Sequence, residues 1–207
     1  MNSQVRVVGL GGSLRASSSS LAALKIALKG ASDAGAATEL LDVRTLDLPM
    51  YMPEEKEAPE PALRMADAVF DAPALIWASP HYHGTVSGSF KNALDWLQLL
   101  ATREPPFLTD KVIGLISTAG GVQGLQTINT MEYVVRALRG WAVPLVVPIP
   151  QAWQAFDEQD RPRDPRVEEQ LRTLGSEVVR VAGRMTQGEV TDPAVECAEA
   201  AARTAQV

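Results

Sequence analysis

Short apolar runs alternate with helix-spaced ones along most of this chain. VRVVGL at 5–10, TELLDV at 38–43, ALIWAS at 74–79, KVIGLIS at 111–117 and VPLVVP at 143–148 are each too brief for a helix and carry β-branched or other apolar residues, so they read as strands. Between them Leu21, Leu24, Ala27 and Leu28, then Leu63, Ala66, Val69 and Phe70, then Phe90, Leu94, Leu97 and Leu100 recur at helical spacing. Residues 122–138 read as a further helix, and 165–185 as a last long one with Val167, Leu171, Leu174, Val178 and Val181 on one stripe. Residues 46–61 and 149–163 read as irregular surface loops. Alternation of this kind implies right-handed crossovers and a parallel sheet covered on both faces, a doubly wound three-layer α/β/α domain. For five strands the order 2-1-3-4-5 is the simplest, and it places the loops after strands 1, 3 and 4 on one rim, where ligands of open α/β sheets bind. At 207 residues the chain needs only one such domain, 1–185, with the alanine-rich 186–207 as a tail that is a short helix or disordered.

The first loop on that rim carries the densest chemistry. Gly9, Gly11 and Gly12 close the first strand, and Ser13, Ser17, Ser18 and Ser20 surround Arg15 before the helix begins. Free N–H groups at a helix start, hydroxyl donors and a guanidinium fork together suit a phosphate, beyond what capping and turning alone require. A P-loop is excluded, because no Gly-Lys-Ser or Gly-Lys-Thr follows the glycines. The dinucleotide fingerprint is met only by Gly9 and Gly11, with Leu14 in place of its third glycine and Asp42 beyond the usual spacing of the ribose-binding acid. A serine-rich loop holding the phosphate of a mononucleotide fits better.

The loop after strand 3, SPHYHGTVSG at 79–88, offers Tyr82 as a ring to lie beside a planar ligand, while Pro80 stiffens the exit from the strand. His81 and His83 invite a metal, but no third ligand stands near them, so a solvated or ligand-lining role is expected and no metal site is assigned. After strand 4, STAGGVQG at 117–124 has Gly120 and Gly121 where a flat ring can approach backbone. A net charge of −6 and a pI of 5.0 speak against nucleic acid or an anionic membrane surface as partner. No run is long and apolar enough for a membrane span and no leader pattern is seen, so a cytoplasmic protein is expected. Cys197, the single cysteine, leaves no disulfide or thiol pair within the chain, and redox chemistry would have to come from a cofactor.

These residues resemble the NADPH-dependent FMN reductases of the flavodoxin-like superfamily. The pattern G-S-L-R-x-x-S stands at 12–18, S-P-x-Y-x-x-x-x-S-G-x-x-K-N-A-L-D-W-L at 79–97, and the glycine pair of the third loop at 120–121, within a resemblance spanning 5–184. The resemblance implies a flavodoxin-like fold and an oxidoreductase that passes hydride from NADPH or NADH through bound FMN to a small acceptor. Quinone, free flavin, azo compound and metal oxyanion all qualify as acceptors, taken by a ping-pong mechanism. It implies that Ser13, Arg15, Ser18 and Ser20 hold the FMN phosphate, that Pro80, His81, Tyr82 and His83 line the ribityl chain and ring, and that Ser117, Gly120 and Gly121 meet the ring's polar edge. Many relatives carry glutamate and asparagine where this chain has His81 and His83. Lys91, Asn92 and Asp95 of the motif helix are expected to be structural or at a subunit contact. The resemblance also implies a homodimer or homotetramer, although Trp96, Tyr133 and Trp141 are better read as core. The alternatives are an FMN-binding electron carrier that does not oxidise nicotinamide, and a dinucleotide-sensing domain.

Overall fold

The computed structural model describes residues 4–54 and 57–187. In chain order these form β1 (Arg6–Gly11), α1 (Ser19–Asp33), β2 (Ala37–Asp42), a single turn α2 (Val43–Leu46), α3 (Glu60–Asp71), β3 (Ala74–Tyr82) and a short β4 (Thr85–Val86). There follow α4 (Gly88–Trp96) running into a 3-10 turn at Leu97–Leu100, β5 (Val112–Thr118), α5 (Gly124–Ala137), β6 (Trp141–Ile149), the turn α6 (Ala152–Ala155) and α7 (Pro165–Gln187). The sheet runs β2-β1-β3-β5-β6 with every neighbour parallel, the expected 2-1-3-4-5 once the added β4 is set aside. The tail expected from residue 186 falls outside the described residues beyond Gln187, where α7 ends.

Period-two alternation divides the core. Val8, Leu10, Leu75, Trp77, Ile113 and Leu115 face one way and bury against α3, α4 and α5. Val7, Ala74, Ile76, Ala78, Val112 and Ile116 face the other way and bury against α1 and α7. Each valine, leucine or isoleucine among them contributes about 1.5–3 kcal/mol when fully buried. On the second face the two helices cross closely: a Cβ on Gly175 would stand 2.0 Å from the Ala27 carbonyl oxygen, and one on Gly30 2.4 Å from that of Arg172. This contact holds α1 against α7 and so fixes the α1 N-terminus at the sheet's carboxyl rim.

Three differences from the sequence reading follow, the first two at that rim. β3 does not stop at Ser79 but continues through Pro80 to Tyr82, because Tyr82 pairs antiparallel with Thr85 across His83 and Gly84. Both turn residues have positive φ, 49° and 90°, the requirement of the two-residue hairpin turn that follows the twist of its strands. The segment 149–163 is not structureless, since it holds α6 and a tight loop closed by Phe156 against Pro162. Finally, Trp96 is core at 2% exposed, but Tyr133 and Trp141 are 71% and 57% exposed. Both had been expected in the core. Tyr133 instead stands out from α5 with Arg136 over its ring, and Trp141 begins the edge strand β6.

The motif helix α4 anchors the loop that precedes α3. Asn92 accepts from Tyr51 N–H at 2.8 Å and donates to the Pro49 carbonyl at 2.8 Å, which Trp96 Nε1 also reaches at 2.9 Å. Lys91 and Asp95 pair one helical turn apart on the exposed side. Their visible roles are structural.

Candidate functional site

β1 reaches the rim with its backbone pressed onto β3. A Cβ on Gly11 would lie 2.1 Å from the Ala78 carbonyl oxygen, and Gly12, at φ 98°, donates its N–H to that same oxygen at 3.1 Å. The chain can therefore swing from the sheet into α1 only through glycine. Ser18 caps the helix, its Oγ accepting from Leu21 N–H at 3.2 Å, while its carbonyl accepts from Ala22. The N–H groups of Ser19 and Ser20 keep no protein acceptor among the described residues, and they point out of the first turn with the positive end of the helix dipole.

In front of this turn lies a cavity of about 200 Å³. Ser13, Arg15 and Ser17 to Ser20 form one wall, Pro80, His81 and Tyr82 a second, Thr118, Ala119 and Gly120 a third, and Ala152 with Trp153 a fourth. No acidic side chain lines it, and Arg15, its one cation, has no carboxylate partner among the described residues. Ser13 Oγ accepts from Arg15 N–H at 3.2 Å and turns the loop, so its hydroxyl hydrogen is free to donate. Donors and one guanidinium without competing acids suit a doubly charged phosphate, and the donor set thus fits FMN by its phosphate end.

Of the residues singled out from the sequence, Ser13, Arg15, Ser18, Ser20, Pro80, His81, Tyr82 and Gly120 line this cavity together. Ser117, His83 and Gly121 lie outside its lining. Ser117 is fully buried and donates to the Gly124 carbonyl at 2.7 Å, pinning the start of α5. His83 is exposed at the tip of the β3–β4 hairpin. The Gly121 carbonyl accepts from Gln151 N–H at 3.3 Å and ties the glycine loop to the end of β6.

Ser17, one of the hydroxyls read around Arg15, lines the cavity as well, whereas sequence reasoning passed over Ser19, Thr118, Ala119, Ala152 and Trp153. Thr118 was recoverable, because strand alternation turns it to the α1 side if Ser117 faces α5. There its hydroxyl meets Ser20 Oγ at 2.5 Å. Ser19 Oγ donates to the Ala152 carbonyl at 2.9 Å, a contact spanning 133 residues that local spacing cannot reveal.

His81 Nδ1 lies 2.8 Å from Thr127 Oγ1, and that hydroxyl also reaches the Thr85 carbonyl at 3.1 Å, so the ring is tied to α5 and the β3–β4 hairpin. Asp42, the candidate ribose acid, is instead buried as the cap of α2, accepting from Arg44 N–H at 3.0 Å. Leu14, where a dinucleotide loop would pack its third glycine, is 65% exposed.

The sheet order, the hydroxyl-rich turn after β1 and the rim cavity define a flavodoxin-like mononucleotide-binding domain. Solved structures share its fold: the NAD(P)H:acceptor flavoenzyme FerB from Paracoccus denitrificans, at TM-score 0.71 and 22% identity, covers 87% of this chain and 98% of that one. A WrbA-like flavodoxin from Agrobacterium tumefaciens gives TM-score 0.62 and 20% identity over 88% and 99%. The profile of the NADPH-dependent FMN reductase family matches residues 5–154. An NAD(P)H-dependent FMN reductase of Pseudomonas aeruginosa is 31% identical over 88% of this chain and all of its own length. The NADPH-dependent FMN reductase ArsH of Shigella flexneri is 28% identical over 85% of this chain and 68% of its own. The chain belongs to the NADPH-dependent FMN reductase family, an oxidoreductase with FMN as flavin and NAD(P)H as reductant. No helix among the described residues is long and apolar enough to cross a membrane.

Proposed function

We propose that this chain reduces a small, diffusible acceptor, of the quinone, free flavin, azo compound or metal oxyanion class, with NAD(P)H and acceptor taking turns at one open face. The observation that carries this reading is the rim cavity itself, with Arg15 as its one cation and the half-exposed Tyr82 at its wall. One relative, an enzyme of Staphylococcus aureus 32% identical over 48% of this chain and 50% of its own, is named an FMN-dependent NADPH-azoreductase. FMN, when bound, supplies the hydride chemistry.

The chain's own residues bind and orient. Arg15, Ser13 and Ser18, with the free N–H groups at the start of α1, hold the phosphate. Ser20 acts through Thr118, fixing the helix start against β5. Pro80, His81 and Tyr82 line the ribityl chain and one side of the ring, and Gly120 leaves its other edge open. His83, Ser117 and Gly121 support those walls at the hairpin tip, the root of α5 and the β6 junction. No residue is assigned as acid or base. Residues 1–185 form the flavin domain, the chain works in the cytoplasm, and it assembles as a homodimer or homotetramer. The exposed Tyr133 and Trp141 are the aromatic groups available for that contact.

The purified protein, loaded with FMN and desalted, is expected to show a bound-flavin absorption spectrum that bleaches when NADPH is added without oxygen. Colour should return on adding a quinone alone. Bound flavin that stays oxidised with either nicotinamide would contradict the reductase reading and leave an electron carrier.

A further inference from the structure

Behind Trp153 lies a second cavity of about 690 Å³, walled by residues 149–151, α6 and the first turn of α7. Its size falls within the roughly 300–1,000 Å³ of small-molecule sites. Trp153 lines both cavities and is 74% exposed, so its indole forms their common partition.

Arg163 supplies the charge in this second cavity. Three arginines cluster here, and two are already engaged: Arg161 with Asp157, and Arg166 with Asp164, both at 2.9 Å. Arg163 is exposed, lines the cavity and has no carboxylate partner among the described residues. Its backbone is fixed. Arg163 N–H donates to the Ala155 carbonyl at 2.9 Å, Phe156 pairs with Pro162, and Asp157 Oδ1 accepts from the N–H groups of Gln159 and Arg161 at 2.9 Å each. Asp164, the one acid in the lining, takes Nε and Nη2 of Arg166 on its carboxylate, which offsets its charge toward an anion.

An exposed indole face beside an unpaired guanidinium is suited to a purine that carries a phosphate: the ring stacks and the fork grips. We propose that this cavity holds the adenosine 2′-phosphate end of NADPH, with Arg163 on the 2′-phosphate and Trp153 against the adenine. The nicotinamide end reaches the flavin past the shared Trp153 wall. The proposal rests on reading the serine-lined cavity as the FMN site. It makes Arg163 a specificity residue, since it meets a group that NADH lacks.

The test compares 2′,5′-ADP with 5′-AMP by calorimetry on FMN-loaded protein, in the wild type, Arg163→Ala, Arg163→Lys and Trp153→Leu. The wild type should bind 2′,5′-ADP at least tenfold more tightly than 5′-AMP. Arg163→Ala should erase that gap, Arg163→Lys should restore part of it, and Trp153→Leu should weaken both ligands about equally. In turnover, the NADPH-over-NADH ratio of kcat/KM should fall about tenfold in Arg163→Ala. A wild type that does not distinguish the two ligands, or an Arg163→Ala variant that keeps the gap, overturns the proposal. FMN affinity is measured on the same samples: loss of FMN in Arg163→Ala would also overturn it, because the two cavities would then not be separate. A wild type that takes no FMN yet still prefers 2′,5′-ADP would overturn the flavin reading alone.

Discussion

The two cavities that meet at Trp153 are made in different ways. The serine-lined one is built where three strands end, and its donors come from a helix start held by glycine contacts on one side and by α7 on the other. The one behind Trp153 is built from a single segment after the last strand, closed by a two-residue bridge and one carboxylate. Damage to the backbone frame of the first should therefore reach the whole fold. Damage to the second should stay local, changing the choice of reductant and little else.

The comparison is broken most severely at Gly11. Gly11→Ala sets a Cβ against the Ala78 carbonyl at 2.1 Å, backbone against backbone with no flexible end to yield. A loss of about 3–5 kcal/mol in urea unfolding is expected, together with loss of FMN. Arg15→Ala removes the only cation of that cavity and should weaken FMN by roughly 10–100-fold with stability kept, read from flavin fluorescence. Ser20→Ala leaves the buried Thr118 hydroxyl without its 2.5 Å partner and should cost about 1–3 kcal/mol of stability.

A smaller effect comes from Asp157. The Arg161 N–H first, then those of Gln159 and the Arg161 side chain, hold its carboxyl below its ordinary value of 3.8. A depressed carboxylate stabilises the fold at pH values above its unfolded pKa, and that contribution is lost as pH falls through the folded one. The amides of Gln159 and Arg161 should accordingly keep their hydrogen-bonded NMR shifts to below pH 3.8, and Asp157→Asn should weaken 2′,5′-ADP while sparing FMN. Smallest is His83→Asn: asparagine accepts positive φ and suits this hairpin turn, so stability should move by no more than about 0.5 kcal/mol.

Most of the fold was legible because apolar periodicity reports burial, and here burial follows the sheet: β5 is buried along its whole length and opens on the run VIGLI without a charged residue. The hydroxyl-rich turn after β1 was legible because its glycines, serines and arginine are contiguous. What stayed hidden depended on pairing across distance. Ser19 to Ala152 and Ser20 to Thr118 join segments about 100 or more residues apart, and no local spacing encodes them. His83 entered the expected ring-lining group with Tyr82 through the resemblance, which carried the whole 80–83 stretch over together. The His83–Gly84 step was the overlooked signal, a turn that folds the side chain outward. Trp141 misled for the opposite reason: hydrophobic bulk suggested core, but it opens an edge strand with one side uncovered.

The central claim is that one chain carries two separable grips, Arg15 for the flavin phosphate and Arg163 for the reductant. The most direct test is to titrate FMN into the apoprotein of the wild type, Arg15→Ala and Arg163→Ala side by side. The structure predicts that Arg15→Ala weakens FMN by at least tenfold while Arg163→Ala matches the wild type. Equal affinity in all three would contradict the phosphate site, and equal loss in both variants would contradict the division of the rim into two cavities.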